Sequence, residues 1–236
     1  MHLQREVFGL PDLEVSPRRH LVVSRAAGGW TLGAFAGDEL IGFVLHVAAA
    51  RGAEVVGYSH MTAVARASQD RGVGARLKWA QRERALAEGR NFIKWTWEPT
   101  RARNAHFNLN RLGVVVRDYA VNFYGTDYNT QPIANGAAYG LDSDRLFAGW
   151  ELNSRRVTAC ARGESPPRDN VPVARVVIPP DWSDDFIRAD PARARREQLR
   201  VREEFRQALA AGLICAGFER DPARPCYLFY EADAVG

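Results

Sequence analysis

At 236 residues, 46% of them hydrophobic, the chain is long enough for one large domain or a domain with an appendage, and it can bury a sizeable core. Mean hydropathy is −0.31, and no apolar run approaches the ~20 residues that a membrane span needs. The formal charge is +4 with a pI near 9.2, but Lys78 and Lys94 are the only lysines and the arginines are interleaved with acids throughout, which argues against nucleic acid as a partner.

The opening "MHLQREVFGLPDLEV" lacks the basic-then-apolar order of a secretory signal, so the expected location is cytoplasmic. Trp30 to Ala36 and Leu40 to Val47 are strand-like runs separated by "GDE", a hairpin signal, and Glu54 to Ala65 is a third strand. A helix follows over Gly74 to Glu88, with Val73, Leu77, Ala80 and Ala87 near one face and Gly89 as its stop. The run "NFIKWTWEP" predicts a strand closed by Pro99. Ala105, Leu109 and Leu112 then fall at i, i+4 and i+7 on a short helix that Gly113 ends. The order β-β-β-α-β-α predicts an α+β or mixed-sheet fold. From about Asn153 prolines break the pattern into an arm with one strand at "ARVVI". Asp190 as N-cap and Pro191 at the first position open a further helix with Val201, Phe205, Ala208 and Leu209 on one stripe, closed by Gly212. "LICAGFERDPARPCYLFYEA" reads as a final hairpin. Cys160, Cys215 and Cys226 form no metal-binding spacing, so no metal is expected; Cys215 and Cys226 can face each other across the hairpin, but nothing demands a bridge. The expected division is a core over 1–152 and an arm, helix and hairpin over 153–236.

The chemistry-bearing stretch is "SQDRGVGARLK", Ser68 to Lys78. A helix N-terminus exposes unpaired N–H groups and the positive end of the dipole, a ready phosphate site. A P-loop is excluded because Ala75, Arg76 and Leu77 stand where Lys and Ser/Thr would be needed. A dinucleotide fingerprint lacks its third glycine, at Leu77, although Glu98 at the end of the next strand mimics its acidic ribose ligand. A plain strand-to-helix turn is the remaining alternative. "QDRGVG", Gln69 to Gly74, matches [QR]xxGx[GA], the pyrophosphate loop of the GNAT acyltransferases. "HMTAVARASQDRGVGARLK" resembles that family's fourth strand, loop and third helix, and "NAHFNLNRLG", Asn104 to Gly113, resembles its next helix. Together with "WTWEP", "NFYG" and "DSDRL", the chain is similar to a subgroup of predicted acetyltransferases in that family.

The resemblance implies a GNAT fold, with a central mixed, splayed sheet flanked by helices and extended here by the C-terminal helix and hairpin. It implies acetyl-CoA or another acyl-CoA as co-substrate. The backbone of Val64, Ala65 and Arg66 would pair with the pantetheine arm, and Gln69, Arg71, Gly72, Val73, Gly74 and Ala75 would hold the pyrophosphate. Asn104 is a further candidate contact to the coenzyme. The N–H that stabilises the oxyanion would lie near Val64. Glu98 and His60 are the candidate bases, His60 four residues before Val64 and so on the same sheet face by strand alternation. Where many members carry a proton-donating tyrosine, four residues before the glycine of the "LG" pair, this chain has Leu109; Tyr124 and Tyr119 are the substitutes. The family's first strand is missing ahead of "MHLQREVFG", leaving a sheet edge that the C-terminal hairpin is available to fill.

The function expected is acyl transfer from acyl-CoA to the amino group of a small molecule, such as an amino acid or natural-product intermediate. The acceptor would meet Glu98 to Phe107, Tyr119 to Tyr128 and Asp144 to Trp150, with Arg145 facing a carboxylate. Neither a nucleic acid nor a membrane is an expected partner, and a second copy of the chain is left open. The alternative is a non-catalytic acyl-CoA-binding or regulatory protein on the same fold.

Overall fold

The computed structural model describes residues 1–10, 12–128, 139–167 and 170–234. Arg168 and Asp169 of the expected arm, and the last two residues, lie outside the described residues. By its internal contacts the chain divides into two compact units, Met1–Trp95 and Thr96–Gly236. This division falls within a strand. The architecture is α+β, as expected.

The first unit opens with helices α1 (His2–Phe8) and α2 (Arg18–Ala26), then strands β1 (Trp30–Ala36), β2 (Glu39–Arg51) and β3 (Glu54–Val64). Helix α3 (Val73–Ala87) leads to β4 (Phe92–Trp97), whose first four residues belong to this unit. The strand order is β1-β2-β3-β4, antiparallel except between β3 and β4, which makes the sheet mixed. Alternation along β2 divides its side chains between two layers. Phe43 and Leu45 pack with Leu3, Leu21 and Ala63 on the α1/α2 side, whereas Val44 packs with Val73, Leu77 and Val64 on the α3 side.

The buried stripe of α3 differs from the expected one. Ala80 and Ala87 are exposed, and the inward face is Val73, Leu77, Lys78, Gln81 and Ala85. Two polar residues enter this core because the layer supplies partners: Lys78 Nζ donates to Ser59 Oγ (3.0 Å) and Gln81 Oε1 (2.7 Å) and sits 3.6 Å over the Trp95 ring. Burial pushes the Lys78 pKa well below 10.5. His46, fully buried and stacked on Trp30 at 4.0 Å, has Arg90 Nη1 at 2.8 Å from one ring nitrogen and Gln81 Nε2 at 3.2 Å from the other. A doubly protonated ring would find no acceptor there, and burial together with Arg90 takes its pKa down to about 3.

The second unit contains α4 (Ala102–His106), which continues into a π-helical turn over Phe107–Arg111, then β5 (Val115–Ala120) and β6 (Arg145–Glu151). It goes on with α5 (Arg155–Ala161), β7 (Ala174–Val177), α6 (Asp184–Ala189), α7 (Pro191–Ala210), β8 (Ile214–Glu219) and β9 (Cys226–Tyr230). The strand order here is β6-β5-β8-β9-β7, all antiparallel. Asp190 caps α7 through the Arg193 N–H (2.8 Å), and Phe205 packs its ring on Tyr227 (4.8 Å) and Phe229 (5.1 Å). The C-terminal hairpin β8–β9 joins β5 through Val116↔Cys215. In its register Cys215 stands opposite Phe229 and Cys226 opposite Glu219, so the two cysteines do not face each other; all three cysteines are free and buried.

Candidate active site

In the first unit the strand, turn and helix that the sequence singled out form one continuous structure. Among the described residues β3 pairs with β4 only at Gly57↔Ile93 and Tyr58↔Lys94, then runs six residues further to Val64 with no strand partner on that edge. On its other edge β3 stays bonded to β2, with one irregularity between Leu45 and His46, where Met61 and Ser59 are the partners and His60 is the extra residue. A bulge of this kind bends the strand and increases its twist, which accounts for the departure of β3 from β4. It also corrects the expected facing of His60. Ser59 and Val64 turn toward α3, Met61 and Ala63 toward α1 and α2, and His60 lies 6.2 Å from the His20 ring of α2, on the face opposite the Val64 side chain.

Past Val64 the backbone is tied down. Ala65 N donates to Ile41 O (2.9 Å), Arg66 N donates to the Glu6 carboxylate (2.8 Å), and Gln69 Nε2 returns to Val64 O (3.0 Å). So the Ala65 and Arg66 N–H groups are engaged within the chain, and the open backbone edge lies earlier, over Ser59–Val64. A 3-10 turn (Arg66–Ser68) and Asp70, at φ 60°, bring the chain to Gly72, which caps α3 at φ 77°, ψ 3°. A side chain is strained in that left-handed conformation, and a Cβ there would project into open space with no chain atom within 4 Å. No side chain caps α3 and its first turn holds no acid, so the N–H groups of Val73, Gly74 and Ala75 keep the open valence of a helix start. The Val73 side chain anchors this start in the core, while Arg71 and Arg76 flank it, both exposed. The result is a row of open donors flanked by two arginines, an arrangement that can bind a phosphate.

His60 is surface-exposed, and its ring nitrogens have no hydrogen-bond partner among the described residues. Partial desolvation, then His20, lowers its pKa below 6.5, so the ring is neutral and basic near pH 7.

The second unit holds the other candidates. The Glu98 carboxylate accepts from Thr100 Oγ1 (3.0 Å) and Trp182 Nε1 (2.9 Å) on one oxygen and from Arg101 Nε (3.1 Å) on the other. Arg101 also reaches Asp184 (3.1 Å), so Glu98 links the end of β4 to the start of α6. Tyr124 is 40% exposed and stacks on Tyr128 at 4.7 Å, and its hydroxyl has no partner among the described residues. The guanidinium of Arg145, a buried residue, lies 5.1 Å from the Tyr124 ring and donates to the Asp144 carbonyl (2.9 Å); Glu98 and Tyr124 both act on its charge. Glu98 and Tyr124 are thus brought together around Arg145, whereas Asn104 stands apart, exposed on α4. The π turn shifts the phase of this segment, so that Asn108 is buried and shares no face with Asn104. Leu109 is fully buried and offers no proton donor. Tyr119 is locked on Asp144 Oδ2 at 2.6 Å, and burial beside that carboxylate raises its pKa, which removes it as a proton donor near neutrality. No local signal points to the partner that holds Asp144: Arg202, far along the chain, meets it with Nε (2.8 Å) and Nη2 (2.9 Å) and reaches Asp142 at 2.6 Å.

No protein-family model matches the chain, and no curated protein sequence matches it. Among solved structures of similar backbone is a GNAT family acetyltransferase from Elizabethkingia anophelis with acetyl-CoA bound, at 18% identity and a TM-score of 0.47, over 61% of this chain and 88% of that one. A Bacillus subtilis acetyltransferase in complex with CoA shares 18% identity at a TM-score of 0.48, over 64% of this chain and 91% of that one. The ribosomal-protein-S18-alanine N-acetyltransferase from Escherichia coli shares 13% identity at a TM-score of 0.48, over 65% and 85%. At these scores the resemblances assign no activity, which rests on the residues of this chain.

Proposed function

We propose that this chain is an acyl-CoA-dependent N-acyltransferase of the GNAT superfamily, acting on the amino group of a small molecule such as an amino acid or natural-product intermediate. The observation that carries the reading is the uncapped start of α3 behind left-handed Gly72, following a strand whose edge is open from Ser59 to Val64. When bound, acyl-CoA supplies an activated thioester. The N–H groups of Val73 to Ala75 would hold its pyrophosphate, with Arg71 and Arg76 adding charge, and the open edge of β3 would take the amides of its pantetheine arm as an added strand. A backbone N–H on that edge, near Val64, would face the developing oxyanion. In the first unit His60, neutral near pH 7 and with no hydrogen-bond partner among the described residues, suits proton removal from an amine; in the second, taken by itself, the Tyr124 hydroxyl, unbonded among the described residues, suits proton return. Arg145 under Tyr124 favours an acceptor with a carboxylate.

A second reading, a non-catalytic acyl-CoA-binding protein, is favoured by one observation: Leu109 is buried where the family's proton donor is expected. Two measurements separate the readings. Calorimetry with acetyl-CoA should show binding that weakens at least tenfold, about 1.4 kcal/mol, in Gly72→Val. Arg71→Glu/Arg76→Glu, which leaves the backbone untouched, should weaken it in the same direction. Unchanged affinity in both variants would reduce the loop to a plain turn. Thiol release from several acyl-CoAs against an amine panel then tests turnover, and binding without release would leave the second reading.

A further inference from the structure

The outer edge of β1 is open among the described residues. β1 pairs with β2 from Trp30↔His46 to Ala36↔Glu39, and among the described residues no strand lies on its other side. Exposed edges are commonly blunted by charge, proline or bulges. The edge sequence "WTLGAFA" has neither charge nor proline, and its one irregularity falls late, between Ala34 and Phe35. Apolar groups stand open beside it, with Phe35 63% and Leu40 41% exposed.

The two ends of this edge differ in charge. At the Trp30 end a cleft of about 420 Å³ is lined by Arg18, Leu21 and Arg25 of α2, by Trp30 and Thr31, and by Arg84 of α3. Arg84 is paired with Glu88, but Arg18 and Arg25 make no side-chain bond among the described residues. At the other end the tight turn at Gly37 presents Asp38 and Glu39, likewise without an ion pair among the described residues. Seven residues separate basic end from acidic end by roughly 20 Å, at about 3.3 Å per strand residue.

An antiparallel two-fold pairing brings the beginning of one strand beside the end of its copy. We propose that a second copy of this chain docks on β1, with the two-fold axis at Leu32, so that Leu32 stands opposite its own copy and Trp30 opposite Ala34. The regular segments Trp30–Ala34 then extend one another's ladders, and the Asp38–Glu39 turn of each copy meets the Arg18–Arg25 cleft of the other. The contact is isologous, so it closes at two copies. Phe35 is covered in both. A seven-residue edge with two charge contacts is small by the standard of stable interfaces, so the dimer is in concentration-dependent exchange and weakens with salt.

Sedimentation velocity on the full chain tests this without reference to any enzymatic activity. The wild type should pass from monomer to dimer on concentration up to about 100 μM, corresponding to a micromolar dissociation constant. Asp38→Lys/Glu39→Lys and Arg18→Glu/Arg25→Glu should each be monomeric over that range, while their equimolar mixture should recover a one-to-one dimer, because every charge contact is restored in the mixed pair. Phe35→Lys, at an exposed position, should abolish association in the parent chain with its circular dichroism unchanged. A wild type that stays monomeric, charge variants that still dimerise, or a mixture that fails to associate would overturn the proposal.

Discussion

At the start of α3 the backbone N–H groups meet no side chain and Gly72 leaves open space in front of them, whereas at the end of β4 the carboxylate of Glu98 already accepts from Thr100, Trp182 and Arg101. Both places were candidates by sequence, one for binding and one for proton transfer, and their hydrogen-bond accounts differ in kind. Polar groups left open at a rigid helix start are affordable because water serves them until a ligand does. A carboxylate that accepts from three donors is committed to holding the end of β4 against the start of α6. Between otherwise suitable residues, the more open hydrogen-bond account marks the one available for chemistry.

The closed part of the second unit should be the more fragile to loss of a partner. Asp144 is 1% exposed and is held by Arg202, Tyr119 and the Asn122 N–H. Arg202→Met keeps the length of the side chain but strands a buried charge, and the expected cost is about 3 to 5 kcal/mol, visible as a large drop in denaturation midpoint. Acetyl-CoA affinity measured on the remaining folded protein should not move. A loss below 1 kcal/mol would show that the cluster is solvated and the contrast overstated.

The first unit should respond instead to acid. His46 takes a proton at an ordinary pKa of 6.5 when unfolded but only at about 3 when folded. Between these values the unfolded chain binds more protons, so stability is full above 6.5 and falls as pH drops, by about 1.4 kcal/mol per pH unit and so about 2 kcal/mol at pH 5. Urea titrations from pH 7.5 to 5 should show the slope, and His46→Gln should flatten it from a lower starting stability. A flat profile in the wild type would mean that water reaches the ring.

Much of the first unit was legible because its signals are local. The "GDE" hairpin signal, the strand runs and Gly72 at a helix start are each set by a few neighbouring residues. The stripe of α3 was not, since Lys78 and Gln81 count as polar in any hydrophobic pattern and only the positions of Ser59, Trp95 and His46 make their burial tolerable. The facing of His60 failed for a related reason: alternation predicts a face only while the register is unbroken, and the bulge at His60 is a property of two strands together. In the second unit β5, β6 and α5 passed without being anticipated, and the Asp144–Arg202 pair joins residues 58 apart in sequence. The N-cap at Asp190 and the hairpin β8–β9, again local, were foreseen.

Glu98 provides the finest test of the contrast, because the sequence makes it a base and its neighbours make it a tether. Glu98→Gln keeps the shape and one acceptor oxygen, which can still serve Thr100 and Trp182, but it turns an N–H₂ toward Arg101 and removes the charge that Arg101 meets. With the side chain 17% exposed, the expected loss is about 1 to 2 kcal/mol of stability. If the residue is a tether, turnover in acyl transfer should fall less than about tenfold, and the ascending limb of the pH profile in kcat/KM should remain. That limb should have its midpoint below 6.5, the direction in which His60 is shifted, and should vanish in His60→Gln. A base would behave differently: removing it typically costs about 10² to 10⁴ in rate and takes the limb with it. A profile that flattens in Glu98→Gln and survives in His60→Gln would therefore return proton transfer to the carboxylate. Openness of hydrogen bonding would then be a poor guide to the reacting residue in this fold.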